Sequence, residues 1–434
     1  MDPAFVGIIG IIVLLIVLFL LGMPVGFAMA VVGFCGFSYV VSFTAASNMI
    51  GADLWSTFSK YGFTVIPLFI FMGYLAFSAG IAERLYDAAY KWMGHWRGGL
   101  AIATIGADEM FSAICGSNTA TAATMGTVAL PQMKKYHYDS RLSSGTVVTG
   151  GTLGTVMPPS VVLIIIGLQT EQSILKLFLA GILPAVVLGL LFVFTIIAIC
   201  WKFPEYGPAG PKTSFVEKLK SLIGVIEAVT IFTLVIGGLY VGLFTPTEAG
   251  AAGVFFTLVV SIATRRLTWE AFLRSVRETL KISCMVYMLV TGAIIFGRFL
   301  AVTRLPFMVA DFAASLPVSP HIILIIILII YLLGGCFMDA LGFLVLTIPI
   351  FFPLGIALGF NPIWYAIILC MVTTMGAITP PVGVNIYVVK ALAPEIGLAT
   401  IFKSVSFFLL ACILSIIILI IFPQLALIIP NAMH

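Results

Sequence analysis

The sequence predicts an all-α polytopic membrane protein made of two inverted repeats, each with five crossings and one re-entrant helical hairpin. Three observations carry this. The chain is 62% hydrophobic and only 9% charged, with a mean hydropathy of +1.21. A proline pattern recurs at an offset of 222 residues, matching Pro24 with Pro246, Pro131 with Pro353, and Pro158-Pro159 with Pro380-Pro381. The Lys and Arg residues gather on alternate loops, the signature of cytoplasmic segments in a spanning chain. Such a composition excludes a soluble domain, because runs such as 5–21, 182–201, 322–333 and 407–422 are nearly pure hydrocarbon and a spanning helix needs roughly 20 apolar residues.

In the first half, crossings are expected at 4–22, 24–43 and 61–80. The first run has no basic leader and continues into a second apolar segment after Gly22-Met23-Pro24, so it reads as a crossing and not as a cleaved signal. An amphipathic stretch follows at 82–97. Residues 98–134 then start after Arg97 and end at Lys134-Lys135, with an interior break at Cys115-Gly116-Ser117-Asn118-Thr119-Ala120-Thr121. Each arm of roughly 14–18 residues reaches only about 21–27 Å, too short to span comfortably and suited to a hairpin that turns back near mid-membrane. Crossings at 141–169, broken near Pro158-Pro159, and at 173–200 close this half. The second half repeats the plan, with crossings at 222–243, 246–264 and 282–301, an amphipathic segment at 303–317, and a hairpin at 320–357 whose tip is Gly334-Gly335-Cys336-Phe337-Met338-Asp339. Crossings at 362–390, broken at Pro380-Pro381, and at 398–422 complete it. The chain thus divides into a first repeat (1–200), a cytoplasmic linker (201–221) and a second repeat (222–434). Five crossings per half is an odd number, so the second copy enters with opposite orientation. Segments 82–97 and 265–281 read as interfacial helices.

With both termini outside, every Lys and Arg except Lys60, Lys176, Arg298 and Arg304 falls on the cytoplasmic side. The first hairpin then opens to the cytoplasm. The second opens outward, with no Lys or Arg between Arg304 and Lys390. The net charge of +4 belongs to these loops and implies no nucleic-acid partner. The seven cysteines and four histidines are scattered singly, without metal or redox spacing.

Matched broken helices in two halves point to a transporter binding site, since backbone groups freed in lipid are tolerated only where they are buried or line a polar cavity. Helix ends at the tips leave carbonyls and amides unpaired, and these can hold a small cation or an anion. The candidate sodium ligands are Ser117, Asn118, Thr119, Thr152, Gly154 and Thr155 around the first tip, and Gly335, Asp339, Thr374, Gly376 and Thr379 around the second. Oxygen ligands without a Cys or His cluster favour a hard ion such as Na⁺ over a transition metal. Asp339 aligns with Ser117 at the 222 offset and suits Na⁺ or H⁺; the plainer reading is an ion pair with Arg298. Candidate substrate contacts are Asn118, Thr121, Pro159, Arg298, Pro381 and Asn385. Arg298 could neutralise an acidic substrate or snorkel outward, and Asn385 could bind substrate or pack the hairpin. Asp108-Glu109 could relay protons, pair with basic groups or face another subunit.

The chain resembles the large membrane subunit of tripartite ATP-independent periplasmic (TRAP) transporters over essentially its full length. The resemblance is carried by Gly116-Ser117-Asn118-Thr119-Ala120-Thr121, Pro131, Tyr138-Asp139, 154–160, 177–184, Phe244-Thr245-Pro246-Thr247-Glu248-Ala249, Gly335-Cys336-Phe337-Met338-Asp339 and Thr379-Pro380-Pro381-Val382-Gly383-Val384-Asn385. It implies a Na⁺-coupled elevator in a bacterial inner membrane, in which hairpins and broken helices move against a scaffold. It also implies three partners: a small four-helix membrane subunit on a separate chain, a periplasmic substrate-binding protein, and a small organic anion, carboxylate or sulfonate. The tip reads Ser-Asn-Thr where this family more often has Ser-Ser, and there it is similar to divalent-anion/sodium symporters. A stand-alone Na⁺/dicarboxylate symporter is therefore the alternative, with a channel or membrane scaffold further behind. No ATP-binding motif and no His–Asp or Cys–His arrangement at plausible spacing supports a pump or a hydrolase, so no enzyme is expected.

Overall fold

The structure, a computed structural model, describes residues 3–432. Among the described residues it is helical throughout, and ten helical segments are long and apolar enough to cross a membrane. The first half runs α1 (Pro3–Leu21), α2 (Val25–Val40), α3 (Phe43–Ser59), a 3-10 turn (Tyr61–Thr64), α4 (Val65–Ser78), α5 (Ile81–Met93), α6 (Gly99–Cys115), α7 (Asn118–Lys135), α8 (Ser140–Gly150), α9 (Leu153–Val156), α10 (Val161–Thr170) and α11 (Ile174–Lys202). The second half runs α12 (Phe215–Phe232), which passes through a π turn (Thr233–Gly237) into α13 (Gly238–Tyr240), then α14 (Pro246–Ala263), α15 (Trp269–Val302), α16 (Leu305–Ser315), α17 (Pro320–Phe337), α18 (Ala340–Ala357), α19 (Pro362–Gly376), α20 (Val384–Leu392), α21 (Leu398–Ile421) and α22 (Gln424–Asn431).

The 222 offset reappears in these boundaries. Helices α6 and α17 end, and α7 and α18 both begin and end, at positions 222 apart. The breaks in the double-proline segments fall after Val156 and after Gly376, and in each the peptide bond between the two prolines is cis. Local chemistry sets many starts. Side chains of Ser42, Ser160, Ser173, Thr268 and Asn361 accept hydrogen bonds from the first-turn amides of α3, α10, α11, α15 and α19. Ser214 with Glu217, and Thr245 with Glu248, form capping boxes at α12 and α14.

Two differences from the sequence reading have physical causes. The segment 43–59, which the pattern leaves outside any crossing, is helix α3. Its polar Ser47, Asn48, Asp53 and Ser56 hide the apolar period, and the 3-10 turn at Tyr61–Thr64 separates it from α4. The stretch 265–281, expected as a separate interfacial helix, is instead mostly the first half of one 34-residue helix, α15. Nothing interrupts it near 281–282, and Arg274 with Glu270 and Lys281 with Glu278 are side-chain pairs along its polar face. Its near end docks on α4 through Ser78 Oγ and Ser275 Oγ, 2.8 Å apart. Its far half meets the 3-10 turn before α4 through Tyr287, whose hydroxyl donates to Phe63 O at 3.0 Å.

The broken segments occupy the centre. Every residue from 142 to 167 is buried, as is every residue from Ile363 to Gly376. Helices α6, α7, α11, α17, α18 and α21 pack around them, while α2, α4, α14 and α15 form a second group and α5 touches both α6 and α12. Peripheral α1 buries little besides Ala4, Gly7, Gly10 and Leu14, and turns residues such as Ile12 and Phe19 outward. The irregular stretch 203–214 between halves lies across the α5–α6 corner, where Gly98 N donates to Gly207 O and Gly210 N to Gly94 O, both at 2.8 Å. Arg84 and Glu227 form an ion pair that joins α5 to α12. At the start of α8, three Arg141 hydrogen bonds, two from its side chain and one from its backbone amide, hold the Asp139 carboxyl below the usual carboxylate range. The stability this gives is present above the carboxyl's unfolded pKa and is lost as pH falls through the depressed value.

Small residues let α2 and α15 cross at backbone contact. A Cβ on Gly26 would lie 2.8 Å from Leu289 Cα, one on Gly33 would lie 2.8 Å from Phe296 Cα, and one on Gly292 would collide with Gly26 O. In lipid such close packing takes the place of a hydrophobic driving force. Gly292→Leu is therefore expected to lower the thermal transition of the detergent-solubilised protein, at a cost of roughly 1–3 kcal/mol or more. Gly51→Ala, where nothing lies within 4 Å of the added Cβ, leaves the transition in place.

Candidate functional site

The first hairpin turns because α6 ends at Gly116, which has φ +64, and the Gly116 amide donates to Ser112 O at 3.0 Å. A side chain there is also blocked from outside, since a Cβ would sit 2.6 Å from Pro159 O. Helix α7 then starts at Asn118, whose side-chain Oδ1 accepts from Thr119 N at 2.7 Å. Gly116 O accepts from Val161 N at 3.3 Å, so the turn and the break in the neighbouring segment satisfy one another. Gly154 packs directly behind the turn, where a Cβ would meet Ser117 O at 2.6 Å and Thr121 Oγ1 at 2.8 Å.

The second hairpin follows the same logic. Met338 N donates to Gly334 O at 3.2 Å at the end of α17, and the Asp339 carboxylate accepts from Leu341 N at 3.2 Å to cap α18. Gly383, with φ +63, donates its amide to Cys336 O at 3.1 Å from just beyond the second break. Gly335 and Gly376 touch backbone to backbone, and a Cβ on Gly376 would lie 2.6 Å from Gly335 Cα.

Both tips reach one cavity of about 450 Å³. Cys115, Gly116, Ser117, Asn118, Thr119 and Ala120 line it from the first tip, Thr155 from the first break, and Asp339 and Leu341 from the second tip. Thr155 Oγ1 lies 2.9 Å from Thr374 Oγ1, so the two broken segments also meet each other. The opposite wall is Ile70, Gly73, Tyr74 and Phe77 of α4 with Ile282, Met285 and Val286 of α15. Thr124, Thr127 and Leu392 carry the cavity toward the end of the molecule that holds Lys134, Lys135 and Lys390.

Of the residues expected to bind ions or substrate, Ser117, Asn118, Thr119, Thr155 and Asp339 line this cavity. Gly154, Gly335 and Gly376 support the tips from behind by close backbone contact. Thr152 and Thr374 face a pocket of about 10 Å³ on the far side, with Met371 and Cys412. Thr379 Oγ1 donates to Met375 O at 2.7 Å, Pro159 is buried against Gly116, and Pro381 is exposed beside the second break. Thr121 Oγ1 and Asn118 Nδ2 are buried without a hydrogen-bond partner. Asn385 does not line the cavity. It is fully buried and donates to Val148 O at 3.3 Å, tying α20 to α8.

Arg298 is elsewhere and does not pair with Asp339. Its Nε contacts both carboxylate oxygens of Asp53, at 2.8 and 2.6 Å, and joins α15 to α3. Asp108 and Glu109 neither pair with basic groups nor face outward. The Asp108 carboxylate fills the space left by Gly150 on α8 and the Glu109 carboxylate that left by Gly189 on α11, and all four oxygens are buried without a hydrogen-bond partner. Among the described residues no group of three or more His, Cys, Asp and Glu side chains converges to hold a metal. The cavity's donor set is hydroxyl, amide and a single carboxylate, oxygen ligands that suit a hard cation better than a soft transition metal. The apolar wall from α4 and α15 was not legible as a site, because an apolar residue in a spanning helix carries no local signal.

A conformational demand follows at Gly116. Both Gly116 and Gly359 have positive φ, but a Cβ on Gly359 meets nothing within 4 Å. Replacing either with Ala costs about 1–2 kcal/mol of backbone strain. Gly116→Ala adds the clash with Pro159 O and is expected to lower the thermal transition clearly more than Gly359→Ala does.

Residues 12–425 match the family "Tripartite ATP-independent periplasmic transporter, DctM component". The chain is 34% identical to the C4-dicarboxylate TRAP transporter large permease protein DctM of Pseudomonas aeruginosa, over 88% of this chain and 89% of that one. It is 29% identical to the sialic acid large permease SiaM of Vibrio cholerae, over 94% and 95%. It is 31% identical to the isethionate permease DctMQ of Oleidesulfovibrio alaskensis, over 82% of this chain and 57% of that one. Among solved structures, the YdaH transporter of Alcanivorax borkumensis superposes with a TM-score of 0.65 at 14% identity, over 88% of this chain and 90% of that one, a likeness of fold alone. These relatives are permeases and not enzymes. With the family matched across nearly its whole length, the chain belongs to the TRAP transporters as a large permease subunit of the DctM type.

Proposed function

We propose that the chain is the moving subunit of a Na⁺-coupled importer for a small organic anion in a bacterial inner membrane. The observation that supports this most is the single cavity that receives both hairpin tips and the first break, with Asn118, Thr155 and Asp339 on its wall. In this reading the halves are inverted repeats (1–200 and 222–434, joined by 201–221), and the hairpins re-enter the membrane from opposite sides. The helices around α8 and α19 move as one body, an elevator, against the group that contains α2, α4, α14 and α15. The cavity's course along Thr124, Thr127 and Leu392 to the basic end corresponds to the state open to the cytoplasm.

Na⁺ enters as co-substrate. Hydroxyls of Ser117, Thr119 and Thr155, the Asn118 amide oxygen and the Asp339 carboxylate supply oxygen ligands, and the unpartnered Asn118 Nδ2 and Thr121 Oγ1 are free to take part in binding. The substrate sits between the tips, where helix N-termini favour an anion. The relatives' names cover a C4-dicarboxylate, sialic acid and isethionate, so the class is a small carboxylate or sulfonate. A periplasmic binding protein delivers it, and a separate small membrane subunit completes the frame. A stand-alone symporter differs in one respect, namely uptake without either partner.

Asp339→Ala is expected to reduce Na⁺-driven uptake in proteoliposomes to background, while Asp339→Glu keeps part of it with at least a tenfold higher half-saturating Na⁺ concentration, about 1.4 kcal/mol. Both are scored against an unchanged elution profile of the purified protein. Wild-type uptake by the alanine variant removes Asp339 from the coupling mechanism.

A further inference from the structure

A second cavity, of about 510 Å³, opens at the other end of the molecule. One wall is the end of α3 and the 3-10 turn, with Ser56, Thr57, Lys60 and Phe63, together with Ile294 of α15. The facing wall is the end of α10, with Gln169 and Thr170, the adjoining Glu171, and the outer part of α18, with Pro349 and Phe352. None of Ser117, Asn118, Thr155 or Asp339 lines it, so it is separate from the central cavity.

Three polar features converge on this apolar floor. Lys60 makes no ion pair among the described residues, and its Nζ rests 5.8 Å above the Phe63 ring. Thr57 is only 1% exposed, yet its hydroxyl has no hydrogen-bond partner. The Gln169 side-chain Oε1 is buried and has no hydrogen-bond donor. Buried polar atoms without partners mark a place where another molecule completes the bonding. An apolar cavity with a few placed polar groups is the usual form of a small-molecule site. The Lys60 cation and the Thr57 hydroxyl suit a carboxylate or sulfonate, and the acceptors on the facing wall, Gln169 Oε1 and the Glu171 carboxylate, suit a hydroxyl on the same ligand.

We propose that this outer cleft is a second binding subsite, held by Lys60, Thr57 and Gln169, for a small hydroxylated organic anion, available while the central cavity faces the other side of the membrane. The choice of ligand class rests on the importer reading given above. Its walls come from the two groups of helices that the elevator would move past one another, so the subsite exists only while those groups stand as they do here.

Labelling in the cleft tests this without any need for transport. In the full-length protein carrying Ser56→Cys, the rate of N-ethylmaleimide modification at position 56 is followed by peptide mass spectrometry. The probes are isethionate, succinate, ethanesulfonate and chloride at equal ionic strength. Isethionate is expected to slow modification severalfold, ethanesulfonate less, and chloride not at all, with the protection lost when Lys60→Gln is added. Thr170→Cys on the opposite wall gives the same readout should Ser56→Cys not reach the membrane. No slowing by any organic anion, or equal slowing with and without Lys60, overturns the proposal. Uptake by the unsubstituted protein is measured separately, so a failure of the importer reading and a failure of the subsite show up in different assays.

Discussion

The constraint on which everything else depends is that a chain this apolar must satisfy its backbone from within. Four places in the described residues interrupt a helix at the centre of the molecule: the two hairpin turns and the two double-proline breaks. Each interruption frees amides and carbonyls that lipid cannot solvate. They are brought together pairwise, so that Val161 N finds Gly116 O and Gly383 N finds Cys336 O. Neither turn nor break would be tolerable alone. Glycine at 116, 154, 335 and 376 lets the partners approach closely enough for this exchange.

That arrangement explains why the polar side chains sit where they do. Segments without regular hydrogen bonding cannot be moved to the lipid-facing surface, so the hydroxyls and the carboxylate that accompany them are drawn inward with them. The Thr155–Thr374 contact then joins the two halves at their deepest point, within segments that are buried from 142 to 167 and from Ile363 to Gly376. Peripheral helices are free to be almost featureless. α1 and much of α21 present Leu, Ile and Phe outward, while α2 and α15 are held by glycines that bring their backbones together.

How much of this could be read from the residues depended on whether a residue breaks a pattern. Proline and glycine do, so both turns and both breaks were found to within a few positions, and the motifs at the tips and breaks together led to the right family. Asp339 and Asn118, which line the central cavity, stood out because a polar group in hydrocarbon is conspicuous. Residues that continue a pattern gave no sign. The apolar wall from α4 and α15 looks like any spanning surface. Asp53 was passed over because α3 was not recognised as a helix, and Arg298 was therefore left without its partner. The basic stretch at 265–281 looked interfacial because amphipathicity reports a polar face without saying whether the helix continues beyond it; Gly150 and Gly189, which make room for Asp108 and Glu109, are visible only in three dimensions.

Ser117 and Asp339 occupy equivalent positions of the recurring pattern, 222 residues apart, yet one is a neutral alcohol and the other an acid. Both line the same cavity. Whatever symmetry the backbone keeps, the electrical symmetry is gone: an ionisable carboxyl stands on one side and only dipoles on the other. Two identical cations arriving there would not find equivalent seats. In the proposed importer the side with the carboxylate would hold a cation more tightly than the side with dipoles alone, so a single departure between matching positions would set the order of loading.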